Sequence, residues 1–377
     1  MRAMRLVVPF LFSLFLGVSL QAQWWKVQTS GLDTNLRGVS AVRASNAKGA
    51  SAFAVWASGS NGVILKSIDE GKTWQRLHVP GGDALDFRGI VAFNAGTAYV
   101  MSSGEGEKSR IYKTIDGGET WTLPYAGKRK ELFLDTIACL SETRCFALGD
   151  PIEGKFLLLS TTDGQHWNPL PSASMPLALP GEGAFAASNT CLLLSGEKIF
   201  FGTGGPAARV FRSPDSGRTW THAETPIAHG NASSGIFSIA RADEKQIVVV
   251  GGDYQDSKRA SAVAAYSLDE GKTWQPSEQQ PGGYRSSVAC IDNGLCMAVG
   301  PNGEDVSLSK ITPAGWKPTD SLNLNAAAIL DATHGWAVGP NGTIAHFVNH
   351  AVTTGGRSRL VAPAAPQRRT NGKDASR

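Results

Sequence analysis

The eight letters "SIDEGKTW" at residues 67–74 return almost unchanged as "SLDEGKTW" at 267–274. Related phrases stand between them: "TIDGGETW" at 114–121, "TTDGQHW" at 161–167 and "SPDSGRTW" at 213–220. The closing residues Trp74, Trp121, Trp167, Trp220 and Trp274 lie 46 to 54 positions apart. A worn copy, "SKITPAGW", ends at Trp316 and has lost its aspartate. A recurring period of this length marks a repeated supersecondary unit that buries its faces against its neighbours.

A second phrase precedes the first in several copies, as "WASGSNGVIL" (56–65), "MAVGPNGEDV" (297–306) and "WAVGPNGTIA" (336–345). Each is a β-rich run, a Gly/Asn turn and another run, and an alternating stretch such as "LRGVSAV" or "FRGIVAF" comes before it. The unit therefore reads strand, strand, strand, aspartate turn, strand, which is a propeller blade. First strands near Val39, Ile90, Ile137, Phe185, Phe237, Val288 and Ile329 predict seven blades. The seventh lacks a fourth strand of its own, and "WWKVQTSGL" near the start has the pattern of one. The expectation is an all-β, seven-bladed propeller of four-stranded blades over residues 23–350, closed by the N-terminal strand, which leaves no open sheet edge.

The repeated phrase reads as a folding device. Asp69, Asp116, Asp163, Asp215 and Asp269 are each followed closely by Gly, a pairing that favours tight reversal because Asp accepts local N–H bonds and Gly permits positive φ. The five tryptophans supply apolar faces to wedge between blades.

The two ends read differently. Arg2 and Arg5 precede the apolar run Leu6 to Leu20 and then "QAQ", the layout of a secretory signal over residues 1–22 with cleavage after Ala22. From Ala351 to Arg377 the chain is rich in Pro, Gly and Arg and reads as a disordered basic tail. The tail carries six basic residues against one acid, so the formal +4 becomes about −3 for the body once both ends are set aside. The body shows no basic stripe of the kind that nucleic acid requires. The expectations are an extracytoplasmic protein, periplasmic or secreted, that does not insert in a membrane, binds no nucleic acid and is a monomer.

The S-x-D-x-G-x-T-W pattern is the Asp-box, or BNR repeat, of sialidases, xyloglucanases and sortilin-like propellers. Its combination with a "G-W-A-V-G-x-N-G-x-I" phrase behind a signal peptide resembles the photosystem II stability and assembly factor family, over roughly residues 24–348. That resemblance implies a non-catalytic scaffold that holds a client protein, and an arginine-rich patch on one propeller face.

Cys139 and Cys145 share their spacing and repeat phase with Cys290 and Cys296, at the first hairpins of blades 3 and 6. Facing positions of an antiparallel hairpin lie within bridging distance, so two disulfides are expected in an exported chain, each contributing ~2 kcal/mol. Cys191 is left over and reads as a buried thiol. No His stands at ligand spacing beside either pair, and "HFVNH" (346–350) lies in a final strand, so no metal is expected.

Propeller ligands meet the face where the innermost strands begin. Aligning the blades by apolar alternation places Arg37, Arg88, Leu134, Glu182, Ser234, Arg285 and Asn325 in one ring. Arg285, Asn325, Arg37 and Arg88 come from consecutive blades once the circle closes, and three guanidiniums on one arc suit carboxylates or an acidic peptide. The expected function is thus an exported binding or assembly scaffold without cofactor, docking a carboxylate-bearing protein segment on Arg37, Arg88, Arg285 and Asn325. The alternative is a sialidase-like glycoside hydrolase or glycan-binding propeller, with Tyr284 and Asp253 as its hints. "GTGGPA" at 202–207 matches a dinucleotide fingerprint in letters only, because "ARVFRSPDSG" follows it and not a helix.

Overall fold

The computed structural model describes residues 25–45, 51–291, 294–307 and 315–347; the signal segment, the basic tail, His350 and most of the worn "SKITPAGW" copy lie outside them. Seven antiparallel sheets follow one another along the chain. Blade 1 runs Leu36–Ser45, Ser51–Gly59, Ile64–Ser67 and Gln75–Leu77, and this meander from the axis outward is repeated in blades 2 to 6.

Blade 7 is assembled from both ends of the fold. Ala326–Asp331, His334–Val338 and Thr343–Phe347 are its inner three strands, and Trp25–Thr29 adds the fourth, in a register running from Trp25 opposite Phe347 to Thr29 opposite Thr343. The expected closure is the one observed.

Seven clusters of buried side chains fill the seven joints between blades. Leu65 and Trp336 meet between blades 1 and 7, Ile64 and Val100 between 1 and 2, and Met101 and Ala147 between 2 and 3. Further joints hold Phe156 with Phe211, Val210 with Val249, and Val250 with Ala298. The last, between blades 6 and 7, packs Val299 on Ala337. Each joint contains one tryptophan from an outer edge. Trp74, Trp121, Trp167, Trp220 and Trp274 take this place in the first five blades, and Trp316 in the sixth. The seventh is Trp25, which packs edge-on against Phe347 at 5.7 Å.

The aspartate turns join third to fourth strands by one repeated hydrogen-bond pattern. Ser67 Oγ donates to Asp69 Oδ1 at 2.8 Å and accepts from Gly71 N–H at 2.8 Å, while Thr73 N–H and Oγ1 donate to the two Asp69 oxygens at 2.9 and 2.7 Å. Asp116, Asp215 and Asp269 accept in the same way from Thr120, Thr219 and Thr273. The shorter copy uses His166, whose ring nitrogen lies 2.7 Å from Asp163. Trp74 and Trp220 also donate Nε1–H to the turn glycines' carbonyls at 3.1 Å.

Both expected disulfides are present, Cys139–Cys145 and Cys290–Cys296, each closing a first hairpin between directly paired residues. Cys191 is free and fully buried. Among the described residues, no helix is long and apolar enough to cross a membrane.

Because Trp25 is the only outer-edge tryptophan that also holds the ring's two ends together, Trp25→Ala is expected to cost about 3–5 kcal/mol. Denaturant unfolding of the variant checks this; a loss below about 1 kcal/mol would show that the closing strand contributes little.

Candidate functional site

The innermost strands converge on an axial cavity of about 450 Å³. Bulges at the start of these strands decide which side chains enter it. In blade 1 the pairing slips between Leu36 and Gly38, in blade 2 between Phe87 and Gly89, in blade 3 between Leu134 and Thr136, and in blade 5 between Ile236 and Ser238. The residue left unpaired in each slip is Arg37, Arg88, Asp135 or Phe237, and all four line the cavity. Blades 6 and 7 contribute Ser286 and Asn325.

This register corrects the arc drawn from the sequence. Arg285 N–H donates to Gly251 O, matching Ile236 N–H to Thr203 O, Leu324 N–H to Gly300 O and Leu36 N–H to Gly339 O. Arg285 therefore occupies the inward-packed position of Leu36, Ile236 and Leu324, one residue before the axial one, and a one-residue step turns a strand side chain to the other face. It is 1% exposed and bound to Asp305, with Nε to Oδ2 at 2.8 Å and Nη2 on the same oxygen. Leu134 occupies that same inward position, followed by the axial Asp135. Ser234 stands two residues ahead of it. Glu182 is held by the guanidinium of Arg209 and by Thr203 Oγ1.

Blade 4 departs furthest from the repeat. Its first regular strand is Leu192–Ser195, not a strand centred on Phe185. The preceding segment, Ala184 to Thr190, leaves the blade and ties its neighbours together across the axis. Ser188 Oγ donates to Ser286 O at 2.7 Å, and Thr190 and Ser238 hydroxyls meet at 2.7 Å. Asn189, at φ +64°, accepts from Ile137 N–H at 2.8 Å and donates to Ile90 O at 3.3 Å. Gly89 permits this approach, since a Cβ there would stand 2.8 Å from the Asn189 Oδ1. Ala184, Phe185, Ala186 and Ala187 form the cavity floor.

The polar groups of the cavity are unequally satisfied. Arg88 is pinned, with Nε to Asp86 Oδ2 at 2.7 Å and Nη1 to Ala186 O at 3.1 Å. The side-chain amide of Asn325 donates to Asn35 Oδ1 at 2.7 Å and Leu36 O at 2.8 Å, which fastens blade 7 to blade 1. Arg37 has no such anchor: its buried Nε lacks a hydrogen-bond partner. Burial, and then the charge of Arg88, hold its pKa below the usual guanidinium value, against a smaller opposing pull from Asp86. Asp135 is 1% exposed, and its Oδ2 also lacks a partner. Burial first, and then the neighbouring Asp150, raise the Asp135 carboxyl well above its usual range; Arg88 opposes this. Burial pushes Asp150 up to about 6, despite a hydrogen bond from Ala184 N–H.

The same cavity carries an aromatic cluster. Phe185 and Phe237 stack at 3.8 Å, Tyr284 meets Phe237 edge-on at 4.8 Å, and Tyr254, half exposed, sits at the mouth. A larger cleft of about 670 Å³ opens between the outer strands of blades 2 and 3, but no buried carboxyl or guanidinium lines it. Among the described residues no group of three or more metal-ligating side chains is arranged to hold an ion.

Of the residues that the sequence aligned in one ring, Arg37, Arg88 and Asn325 line the cavity. Asp135, Asp150, Phe185 and Phe237 line it too and were not among the site candidates read from the sequence, whereas Tyr284 was named only for the alternative reading. Asp135 directly follows the Leu134 that the alignment placed in the ring, so correcting one bulge would have exposed it.

No protein-family description and no curated protein matches the chain. Solved structures do match it in fold. A structure of YCF48 bound to D1 peptide shares 12% identity with a TM-score of 0.60, covering 88% of this chain and 98% of that one. YCF48 from Cyanidioschyzon merolae shares 14% with a TM-score of 0.59, covering 86% and 98%. The WD40 repeats of RRP9 share 12% with a TM-score of 0.56, covering 86% and 100%. The chain is thus a YCF48-like seven-bladed propeller in fold, and at these identities the likeness is one of architecture.

Two of the three arginines predicted for one arc, Arg285 and Arg37, differ in what their removal does. Arg285→Ala strands buried Asp305 and is expected to cost about 3–5 kcal/mol. Arg37→Gln removes a desolvated, unpaired charge and is expected to be neutral or stabilising in thermal unfolding. Equal losses from both would mean that Arg37 has a structural partner after all.

Proposed function

We propose that this protein is an exported, non-catalytic propeller that docks an acidic or carboxylate-bearing segment of another protein on the face where its innermost strands begin. The observation that carries this reading is Arg37, a half-buried guanidinium in an open axial cavity whose buried Nε has no partner. A largely desolvated cation whose nearest carboxylate, Asp86, is hydrogen-bonded to Arg88 is costly in the free protein, and an incoming carboxylate offsets that cost. Arg88 adds positive charge beside it, already oriented by Asp86.

Two further observations support the reading. The exposed apolar side chains Leu179 and Tyr254 lie around the same face, which suits contact with a protein surface. A protein of the same fold, YCF48, is solved with D1 peptide bound. Export is supported by the apolar leader in the sequence and by the two disulfides, which persist in oxidising compartments.

The test is capture from an envelope extract of the host with the mature protein and with an Arg37→Gln/Arg88→Gln variant, after matched circular dichroism and melting. Arg285 is left intact, since its loss would strand the buried carboxylate of Asp305. A partner retained by the first bait and lost by the second is the expected result. Identical partners on both baits would remove the arginines from the interface.

A second reading has one observation in its favour. Asp135 and Asp150 place two carboxyls with raised proton affinities in one cavity, as glycoside hydrolysis requires of an acid and its partner. Hydrolysis of an aryl glycoside panel that disappears in Asp135→Asn would establish this second activity, and a panel left untouched by the native protein would dismiss it.

A further inference from the structure

The cavity carries two unlike sets of groups. Blades 1 to 3 supply Arg37, Arg88, Asp135 and Asp150, and the rings of Phe185, Phe237 and Tyr284 line the same space, with Tyr284 close enough to Arg37 for their charges to interact. In the polar set two buried atoms are unsatisfied, Arg37 Nε and Asp135 Oδ2. A buried polar atom without a partner costs free energy until something supplies one, and two of them in one cavity describe the group that fits. The cavity volume, about 450 Å³, is within the range of small-ligand sites and far below what a folded segment would need.

We propose that this cavity is a socket for a single carboxylate carried beside an aromatic or large apolar group, and that the Asp135–Asp150 pair retains a proton when the socket is filled. This rests on the docking reading above and names what enters the axis. The carboxylate accepts from Arg37, in the cavity that Asp135 and Asp150 also line. The ring or apolar group lies against Phe185, Phe237 and Tyr284, where offset or edge contacts are available.

The proton follows from the groups around Asp135. Asp150 faces it from the next strand of its own blade, and Arg88 faces it from blade 2. Cys191 lies behind it, its thiol held neutral by burial. The one neighbouring cation, Arg88, is already committed to Asp86 and Ala186 O. An ionised ligand placed against Arg37 adds a third negative group to the cavity, and its charge disfavours ionisation of the two buried carboxyls. The pair therefore titrates as a unit whose last proton is held more tightly with ligand bound. The sign follows: the acid form of the pair is the binding form, so affinity falls as pH rises through and above the region of Asp150, about 6.

Calorimetric titration with N-acetyl-phenylalanine, its amide, and a ten-residue peptide ending in phenylalanine tests the proposal at pH 5.5 and 8.5. The acid is expected to bind and the amide not, with affinity at least about tenfold weaker at the higher pH. Asp135→Asn should compress that ratio to under about twofold, and Arg37→Gln should abolish binding at both pH values while leaving the melting temperature unchanged or higher. A peptide that binds like the small acid identifies a chain end as the natural source, and a peptide that is excluded identifies a free acid. Equal binding of acid and amide, an unchanged affinity across pH, or no binding of either overturns the socket. If N-acetyl-phenylalanine fails while a protein partner is still retained through the arginines, the socket falls and the docking face stands. If the acid binds and no partner is captured, the reverse holds.

Discussion

Everything in this molecule depends on the joint in blade 7, where Trp25–Thr29 pairs with Thr343–Phe347. A propeller blade has no stable isolated form, because each sheet exposes an apolar face on both sides. Six blades in a row would leave two such faces and one row of unpaired backbone groups. Closing the seventh blade with residues from opposite ends of the fold removes all three liabilities in one step. It also fixes the circumference, so the angle between blades, and hence the distance of each innermost strand from the axis, is no longer adjustable.

The seven tryptophans set the spacing around that circle. Each stands in the joint between neighbouring sheets, and the aspartate turn that precedes it holds the fourth strand in position to deliver it. The arrangement tolerates wear: Trp316 keeps its place, fully buried, in a copy without an aspartate, and Trp25 takes the same place from the opposite end of the fold. The side chain that fills the joint is the constant, and the turn is one of several ways of presenting it.

The repeat made the architecture legible in the sequence because every blade copies the same strand order and the same apolar alternation. The site was legible only in part, for a physical reason. Which residue faces the axis is decided by a bulge at the start of each innermost strand, and a bulge shifts the face by one residue without altering the apolar pattern that locates the strand. Arg37 and Arg88 line the cavity, and both precede a glycine, Gly38 or Gly89, at the register slip. In blade 6 no such mark accompanies Arg285, and its partner Asp305 is twenty residues away on a different strand. Asp135 and Asp150 meet only through the fold, fifteen positions apart on paired strands. Blade 4 was unreadable for a different cause: residues 184–190 alternate like a strand yet spend their hydrogen bonds on blades 2, 3, 5 and 6.

That crossing segment has a kinetic consequence. A ring of blades ordinarily leaves a tunnel, and solutes can pass along a tunnel in either direction. Here Ser188, Asn189 and Thr190 bolt the segment to blades on several sides of the axis, so the space above it is a dead end. Whatever enters must reverse along its own path, and its residence time is set by the mouth, where the half-exposed ring of Tyr254 stands. Water displaced by an arriving ligand has to leave past that ligand, which makes entry stepwise and favours guests that fill the space partially from the rim.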